Sequence, residues 1–282
     1  MPCIAAGAKR DRSHDMMRLC LATAVWYFTF LLPISAEPID VGSIVEASGI
    51  DEGQATVVVK RLSDGQIWMS NDSRADIRFS PASTSKIPHT LIALEEGYAT
   101  TDTPFAWDGI VRSSRAWNQN QTLKTAFQTS AVWVYQKIAE DIGLDVMSRK
   151  LTEYEYGNMA VGTALQPPTY WLDDTLRISA REQIEFLTKF ALTELPVSPA
   201  TYAAAKDIMV HDQANNWVMR AKTGWRHADD SMDIGWFVGT LECGDETSVF
   251  AMNMDMPDTR YLSKRTEIVF SVLEDIGAFD CG

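Results

Sequence analysis

The sequence predicts an α+β fold in which an antiparallel β-sheet is flanked by helices and an all-helical lobe is inserted into the sheet. Paired runs of β-branched and aromatic residues lie near both ends of the chain, and a long stretch with helical periodicity lies between them. Hydrophobic residues make up 46% of the sequence, enough for a full core. Strands from both ends therefore have to meet around a helical insertion.

Each end of the chain is predicted to form a β-hairpin. The first consists of Gln54–Lys60 and Gln66–Met69, because Asp64-Gly65 between them is typical of a tight turn. The second consists of Gly235–Leu241 and Thr247–Met254, which are rich in residue types that favour strands. A short polar segment separates these two runs, as a hairpin requires.

The middle of the chain is predicted to be mainly helical, because apolar residues recur there every three to four positions. The predicted helices are Thr122–Phe127, Val132–Ile142, Ala180–Leu192 and Pro199–Val210. A further helix over Ser263–Ile276 is predicted after the second hairpin. Gly143 and Gly277 follow two of these segments directly, and glycine suits the left-handed residue that ends many helices.

The first 36 residues have the layout of a secretory signal peptide. Basic residues precede an apolar run over Leu19–Leu32, and small residues up to Ala36 offer a cleavage site. The run is shorter than the roughly 20 apolar residues of a transmembrane helix, so no stable membrane span is expected after cleavage. We predict a signal peptide over residues 1–36, with Met16 or Met17 as alternative starts, and a periplasmic or secreted mature chain over 37–282.

The charge of the mature chain argues against two classes of partner. The whole chain has a formal net charge of −13, and residues 37–282 carry 21 Lys and Arg against 36 Asp and Glu, a net charge of −15. Such a chain is a poor ligand for nucleic acid and for anionic membrane surfaces. The sequence therefore favours a function that involves neither.

Cysteine and histidine give limited information. Only Cys243 and Cys281 remain after cleavage, and they either form a disulfide in an oxidising compartment or stay as two separate thiols. His89, His211 and His227 do not have metal-binding spacing, so no metal site is expected. His89 is interpreted as an ordinary side chain of its helix.

A nucleophile at the start of a helix is predicted within residues 78–94. Pro81 suits a first helical turn because its φ is already set and it has no N–H to leave unpaired. Ser83 then lies in that turn, and Lys86 lies three residues later on the same helix face. A serine hydroxyl attacks poorly until a neighbouring base takes its proton, so Ser83 and Lys86 form a candidate nucleophile and base.

Four further clusters follow this pair in the chain. They are Ser130-Ala131-Val132, Tyr156-Gly157-Asn158, Trp171-Leu172 and Lys222-Thr223-Gly224. Together the motifs resemble those of the class D, oxacillinase-type, serine β-lactamases, which belong to the penicillin-recognising serine enzymes. The resemblance runs from about Thr56 to Phe279 and implies the serine β-lactamase and penicillin-binding transpeptidase fold. Penicillin-binding proteins and class A enzymes differ because they carry Ser-Asp-Asn at the second motif.

The resemblance implies hydrolysis of β-lactam antibiotics through an acyl-serine intermediate, with residues 37–282 as the catalytic domain. Small-molecule β-lactams would be the substrates, and neither a bound prosthetic group nor a particular oligomeric state is implied. Ser83 would be the nucleophile, and Lys86 the general base after N-carboxylation by CO2 or bicarbonate. The other implied roles are a proton relay by Ser130 and Lys222, carbamate-pocket walls at Val132, Trp171 and Leu172, and substrate binding by Thr223, Gly224, Trp225 and Arg265. Arg260 is the alternative to Arg265.

The sequence departs from the family near Lys86. Ser85 stands where class D enzymes usually have a large apolar residue, and Met159-Ala160 follows Asn158 where a polar residue is common. A polar Ser85 is expected to admit water and to favour the free ammonium form of Lys86 over its carbamate. This motivates an alternative function, a penicillin-binding or sensor-type protein that acylates but deacylates slowly. A D,D-peptidase is a third candidate, which the missing Ser-Asp-Asn motif disfavours.

Overall fold

The structure, a computed structural model, describes residues 37–163, 168–227 and 231–281, together with positions 2 and 7. The predicted signal peptide therefore lies outside the described part of the chain except at those two positions. Among the helices that are described, none has the length and apolar character needed to cross a membrane.

A seven-stranded sheet is the framework of the fold. In chain order the strands are β1 (Ile39–Asp40), β2 (Ala55–Arg61), β3 (Ile67–Met69), β4 (Pro104–Phe105), β5 (Gln121–Thr122), β6 (Val210–Gln213), β7 (Trp217–Arg226), β8 (Asp233–Cys243) and β9 (Glu246–Met256). The large sheet has the order β1-β3-β2-β9-β8-β7-β6, and β4 pairs with β5 separately. Within the large sheet neighbouring strands are antiparallel, except β1 and β3, which run parallel.

Both predicted hairpins are confirmed, and they lie side by side in the sheet. β2 pairs with β3, and β8 pairs with β9 around Gly244, whose φ of 57° suits glycine. The hairpins join where β2 pairs with β9, for example at Val58 opposite Ala251. The chain between β3 and β6 therefore leaves the sheet and returns to it, which confirms the predicted insertion.

The described helices confirm the predicted ones and add others. They are α1 (Gly42–Ala47), α2 (Asp72–Ala75), α3 (Lys86–Glu95), α4 (Leu123–Gln128), α5 (Val132–Ile142), α6 (Leu144–Glu153), α7 (Ala180–Ala191), α8 (Pro199–Ile208) and α9 (Lys264–Asp275). The prediction omits α6 because Gly143, at a φ of 88°, ends α5 as expected but is followed at once by a second helix. α1 and α2 are too short to give a periodic signal.

The segment Lys222-Thr223-Gly224 lies inside β7, a strand that the sequence pattern does not predict. β7 pairs with β8 along its whole length, with Lys222 opposite Val238. The strand carries Arg220 and Lys222 among its apolar residues, and these charges hide its strand pattern in the sequence. The strand places the two polar residues of the motif next to the helical lobe.

Apolar side chains cover both faces of the sheet. α1 and α9 pack against one face around residues such as Val269, and the helical lobe packs against the other. Eight of the ten residues of α3 are buried, among them Lys86, His89 and Thr90. Buried polar groups are costly unless they find partners, so the first turns of α3 point to a functional site.

Cys243 and Cys281 form a disulfide, which decides between the two alternatives left open by the sequence. Cys243 ends β8, and Cys281 follows α9 near the C-terminus. The two residues are 38 positions apart, so the bond closes a loop that contains β9 and α9. It fastens the end of the chain to the turn between β8 and β9.

We expect the double variant Cys243→Ser/Cys281→Ser to be less stable than the wild type by about 2 to 4 kcal/mol, because a disulfide restricts the unfolded chain. Urea denaturation followed by tryptophan fluorescence measures the difference. The wild type in reductant is the control, and it should unfold at the same urea concentration as the variant. Equal stability of the oxidised wild type and the variant would contradict this prediction.

Candidate active site

The nucleophile pair lies where a short 3-10 turn over Ala82–Ser85 leads into α3. Lys86 Nζ is 2.9 Å from Ser83 Oγ, so the predicted i, i+3 pair is in hydrogen-bond contact. Ala82, immediately before Ser83, has a φ of 47°, which is costly for a residue with a Cβ. Strain of this kind is found mainly where surrounding packing holds a functional residue in place.

Lys86 is a fully buried amine without a carboxylate partner in the described residues. Burial lowers its pKa well below the usual value, and the nearby charge of Lys222 lowers it further. The Nζ atom lies 5.0 Å from the centre of the Tyr135 ring. The site therefore favours a neutral amine, which is the form that accepts a proton or reacts with an electrophile.

Trp171 lies next to this amine's helix and is fully buried. Its indole Nε1–H has no hydrogen-bond acceptor among the described residues. Its carbonyl accepts a 2.7 Å hydrogen bond from Ser80, just ahead of the nucleophile turn. A buried donor without an acceptor is uncommon in proteins and suggests that the site receives a polar group.

A cleft of about 240 Å³ brings most of the predicted residues together. Its lining consists of Ser83, Trp117, Ser130, Val132, Leu172, Thr223, Gly224, Trp225, Leu262 and Arg265. Lys222 instead borders an adjoining cavity of about 300 Å³, and Thr223 lines both spaces. Lys86 and Trp171 line neither space, because both are fully buried.

Ser130 and Lys222 approach this region from the loop after α4 and from β7. Ser130, which lines the cleft, has a φ of 61°, and it is a second non-glycine residue with positive φ near the nucleophile. Lys222 donates a 3.0 Å hydrogen bond to the carbonyl of Thr223. Burial lowers its pKa to about 7, and the charge of Arg265 contributes. Lys222 therefore changes its charge near neutral pH, unlike an exposed lysine.

Gly224 is required for the contact between β7 and the nucleophile turn. A Cβ at this position would lie 2.9 Å from the carbonyl oxygen of Pro81 and 3.2 Å from a methyl group of Thr84. Trp236 of β8 is a third close neighbour, at 3.1 Å from such a Cβ, whereas Pro81 and Thr84 belong to the segment that carries Ser83. The glycine thus brings the strand up to the nucleophile.

Arg265, and not Arg260, lies at the cleft. Its side chain donates to the carbonyl of Gly224 at 2.6 Å and to that of Leu262 at 2.8 Å. It has no acidic partner in the described residues, and burial lowers its pKa to about 10. Arg260 is exposed and pairs with Asp258. A buried arginine without a counter-charge is suited to an anionic ligand.

The hydroxyl of Ser85 is satisfied within its own turn. Its side chain is fully buried, and its hydroxyl donates a 2.7 Å hydrogen bond to the carbonyl of Ala82 within the same turn. The expectation that Ser85 admits water to Lys86 rests on the polarity of the residue and on its place where class D enzymes usually have a large apolar one. Because the turn itself satisfies the hydroxyl, Ser85 offers no reason to expect a wet pocket.

Sequence reasoning misses several polar residues around the pair. Gln183 donates to Thr84 at 3.0 Å and to Tyr156 at 3.2 Å, which ties the Tyr156-Gly157-Asn158 segment to the nucleophile turn. His89 is buried one turn after Lys86 and contacts Tyr170. His89 follows Lys86 by three residues and therefore lies on the same helix face. This spacing could have indicated that His89 lies close to the nucleophile pair.

Two loops at the cleft are joined by an ion pair. Arg226, at the end of β7, pairs with Asp174 in the loop that follows Trp171. Arg226 also donates to Ser231 at 2.7 Å. Arg226 therefore fixes the end of β7 to the loop that carries Trp171 and Leu172.

Comparisons with known proteins agree with this geometry. Residues 52–274 match the family model of the penicillin-binding protein transpeptidase domain. The crystal structure of a class D β-lactamase, YbXI from Nostoc, superposes with a TM-score of 0.81 at 34% identity, covering 85% of this chain and 99% of that one. The chain belongs to the class D β-lactamases. The predicted fold and the predicted family are thus confirmed.

Other relatives of this class D β-lactamase span the same region. β-Lactamase OXA-3 of Pseudomonas aeruginosa is 41% identical over 231 residues, which cover 80% of this chain and 82% of the relative. β-Lactamase OXA-48 of Klebsiella pneumoniae is 39% identical, and the match covers 79% of this chain and 83% of the relative. The class D β-lactamase FUS-1 (OXA-85) of Fusobacterium nucleatum subsp. polymorphum gives a TM-score of 0.79 at 34% identity, and the match covers 83% of this chain and 96% of that one.

In the described part of this enzyme no cluster of three or more His, Cys, Asp and Glu residues could hold a metal ion.

We expect Lys222→Met to change how the stability of this β-lactamase depends on pH. Lys222 titrates at about 7 in the folded enzyme, whereas an unfolded lysine titrates near ~10.4. Between these values the unfolded chain binds more protons, so the contribution of Lys222 to stability falls as the pH falls from about 10 to about 7. The gain in stability from Lys222→Met should therefore be larger at pH 7 than at pH 10 in urea denaturation.

Lys60→Met, a change of a half-buried lysine on β2, is the matched control for that comparison. At pH 7 the gain in stability should be larger for Lys222→Met than for Lys60→Met, because Lys222 is buried and Lys60 is only half-buried. If the Lys222→Met effect were independent of pH, the burial assigned to Lys222 would be wrong.

Proposed function

We propose that this enzyme hydrolyses β-lactam antibiotics through an acyl-enzyme on Ser83. The observation that carries the proposal is the 2.9 Å contact between Ser83 Oγ, on the cleft wall, and the buried amine of Lys86. The Ser83 oxygen attacks the lactam carbonyl carbon, the ring C–N bond breaks, and the ring nitrogen takes up a proton. Water then cleaves the ester and restores the hydroxyl.

Lys86 is proposed to serve as the general base after N-carboxylation by CO2. Its surroundings suit this group, because the amine is buried with a lowered pKa and no described carboxylate pairs with it. The unpaired Nε1–H of Trp171 offers a donor to an added oxygen. A carbamate on Lys86 would supply an oxygen that takes the proton of Ser83 and later that of the deacylating water. Val132 and Leu172 supply apolar walls that favour its survival.

Ser130 is proposed to deliver the proton to the ring nitrogen, with Lys222 beside it. Ser130 lines the same cleft as Ser83. Lys222 has a pKa of about 7, so it gains and loses a proton readily at neutral pH and can tune the relay. In its charged form it also attracts the anionic substrate.

The backbone and Arg265 are proposed to hold the substrate. The N–H groups of Ser83 and Trp225 would stabilise the developing oxyanion, which is supported by the close contact between Gly224 and the nucleophile turn. Thr223 and Arg265 would bind the substrate carboxylate, since both line the cleft and Arg265 is a buried cation without an acidic partner.

The mature enzyme is proposed to work in the periplasm or outside the cell, with residues 1–36 as its signal peptide and 37–282 as its catalytic domain. The disulfide between Cys243 and Cys281 supports an oxidising compartment. A slowly deacylating penicillin-binding protein is the main competing function. The satisfied hydroxyl of Ser85 removes the observation that favoured it.

One experiment tests the acyl-serine and the base together. Purified mature enzyme is mixed with a chromogenic cephalosporin in degassed buffer, with and without bicarbonate, while turnover and intact mass are followed. We expect bicarbonate to raise the rate and a labelled carbamate to appear on Lys86 in 13C NMR. Activity should fall at mildly acidic pH, because protonation of the Lys86 nitrogen releases CO2.

Ser83→Ala is the control in that experiment and should show neither turnover nor a covalent adduct. An adduct that persists in the wild type without turnover would support the slowly deacylating alternative. Full activity without a labelled carbamate, and without a response to bicarbonate, would show that Lys86 works as a free amine.

Arg265→Ala is expected to lower kcat/KM by roughly ten- to a hundredfold, equivalent to about 1.5 to 3 kcal/mol, because a charge-assisted hydrogen bond to the substrate carboxylate is lost. Steady-state kinetics with an anionic penicillin measure the effect. Arg260→Ala, a change on the exposed turn just ahead of α9, is the matched control and should leave kcat/KM unchanged. The opposite result for the two variants would move the carboxylate site to Arg260.

A further inference from the structure

His89 is a buried residue for which the proposed function has no role. It lies one turn after Lys86 on α3, and none of its surface is exposed. Burial, together with the charge of Lys86, lowers its pKa to about 3, so it stays neutral wherever the enzyme is folded and active. It cannot serve as the general base, but as a neutral imidazole it carries one N–H donor and one acceptor nitrogen.

Aromatic rings surround His89 on several sides. The His89 ring meets the Trp171 ring edge-on at 5.0 Å between centres, and Tyr170 meets the same tryptophan edge-on at 4.8 Å. On another side His89 stacks with Tyr135 at 6.4 Å, and the Tyr135 ring also contacts Lys86 Nζ. His89 thus packs between the ring that contacts the Lys86 amine and the tryptophan with the unpaired donor.

The hydrogen bonds assign the tautomer of His89. Tyr170 Oη is 2.8 Å from His89 Nε2 and has no other partner among the described residues, while His89 Nδ1 has none at all. A hydrogen on Nε2 would leave the Tyr170 hydroxyl without an acceptor and Nδ1 without a donor. A hydrogen on Nδ1 lets Tyr170 donate to Nε2 and leaves only the Nδ1–H unpaired. The second arrangement leaves fewer groups unsatisfied.

Two buried N–H donors without described acceptors therefore lie at the start of α3, Nδ1–H of His89 on the helix itself and Nε1–H of Trp171 beside it. No described carboxylate pairs with Lys86. Ser83 Oγ accepts from the Lys86 amine, but two surplus donors and no carboxylate around it favour an anion over a cation. The carbamate proposed for Lys86 is an anion with two acceptor oxygens, whereas the free ammonium would add only further donors.

We propose that His89 is a positioning residue for the carboxylation of Lys86: Tyr170 holds it in the Nδ1–H tautomer, and it braces Trp171 edge-on and adds a second donor to the pocket. The inference rests on the proposed function of Lys86 and extends it to a row of contacts in which Tyr170 is hydrogen-bonded to His89 and the His89 ring packs against Trp171. Its role is to raise the affinity of Lys86 for CO2 and not to contact the substrate.

The test measures how much bicarbonate each variant needs. Labelled 13C bicarbonate is titrated into the wild type, Tyr170→Phe, His89→Leu and His89→Asn, and the carbamate signal is followed by 13C NMR. We expect Tyr170→Phe and His89→Leu to need roughly tenfold more bicarbonate for half of the full signal, the effect of losing one hydrogen bond. His89→Asn keeps an N–H donor and should be shifted less. Saturating bicarbonate should restore kcat in Tyr170→Phe, which a merely structural defect would not allow.

Tyr98→Phe is the matched control, because it removes a tyrosine hydroxyl that bonds to Asp141 away from the pocket. It should titrate like the wild type. In the 15N NMR spectrum of histidine-labelled wild type, His89 should carry its hydrogen on Nδ1, and the Nδ1 signal should move when the carbamate forms.

Two results would overturn the inference while leaving the proposed function intact. One is a carbamate titration of Tyr170→Phe that matches the wild type, and the other is a His89 that carries its hydrogen on Nε2. A wild type without any carbamate signal would instead overturn the proposed base, and this inference with it.

Discussion

The burial of one amine without a counter-charge is the constraint on which the site depends. A lysine at the start of a central helix, with no carboxylate within reach in the described structure, cannot keep its proton cheaply. The surrounding residues do not remove this cost. Tyr135 and Trp171 exclude water, and Lys222 adds a second positive charge nearby. The fold thus gives up stability to bury the Lys86 amine, as is common at functional sites.

The strained backbone of the cleft follows from the same constraint. To place a hydroxyl on this amine, the chain makes a tight turn at Ala82 and another left-handed residue at Ser130. β7 then packs against the turn, which only a glycine at position 224 allows. The turn is held from two sides. Gln183 and Tyr156 support it from the helical lobe, and β7 supports it from the sheet. Packing thus stabilises backbone angles at Ala82 and Ser130 that the local sequence would not adopt alone.

Much of this could be predicted from the sequence, and the omissions have physical causes. Hairpins and periodic helices are local patterns, so their existence and approximate bounds were predictable. The pair Ser83 and Lys86 was predictable because helix geometry places residues i and i+3 together. The roles of His89, Gln183 and Tyr170 depend on which atoms lack partners, and no sequence pattern carries that information. The hydrogen bond of Ser85 was not predictable for a related reason, since the fate of its hydroxyl depends on the turn and not on the residue type.

The pairing of β2 with β9 has a consequence for how the chain reaches its folded state. Val58 cannot meet Ala251 until almost the whole polypeptide is available, because β9 fills the gap between the first hairpin and β8. Such non-local sheets fold slowly, because the chain loses the entropy of loop closure before the strand contacts form. A chain that is synthesised from its N-terminus therefore cannot complete the sheet until β9 is available. Until that strand pairs, the helical lobe has no complete sheet face to pack against.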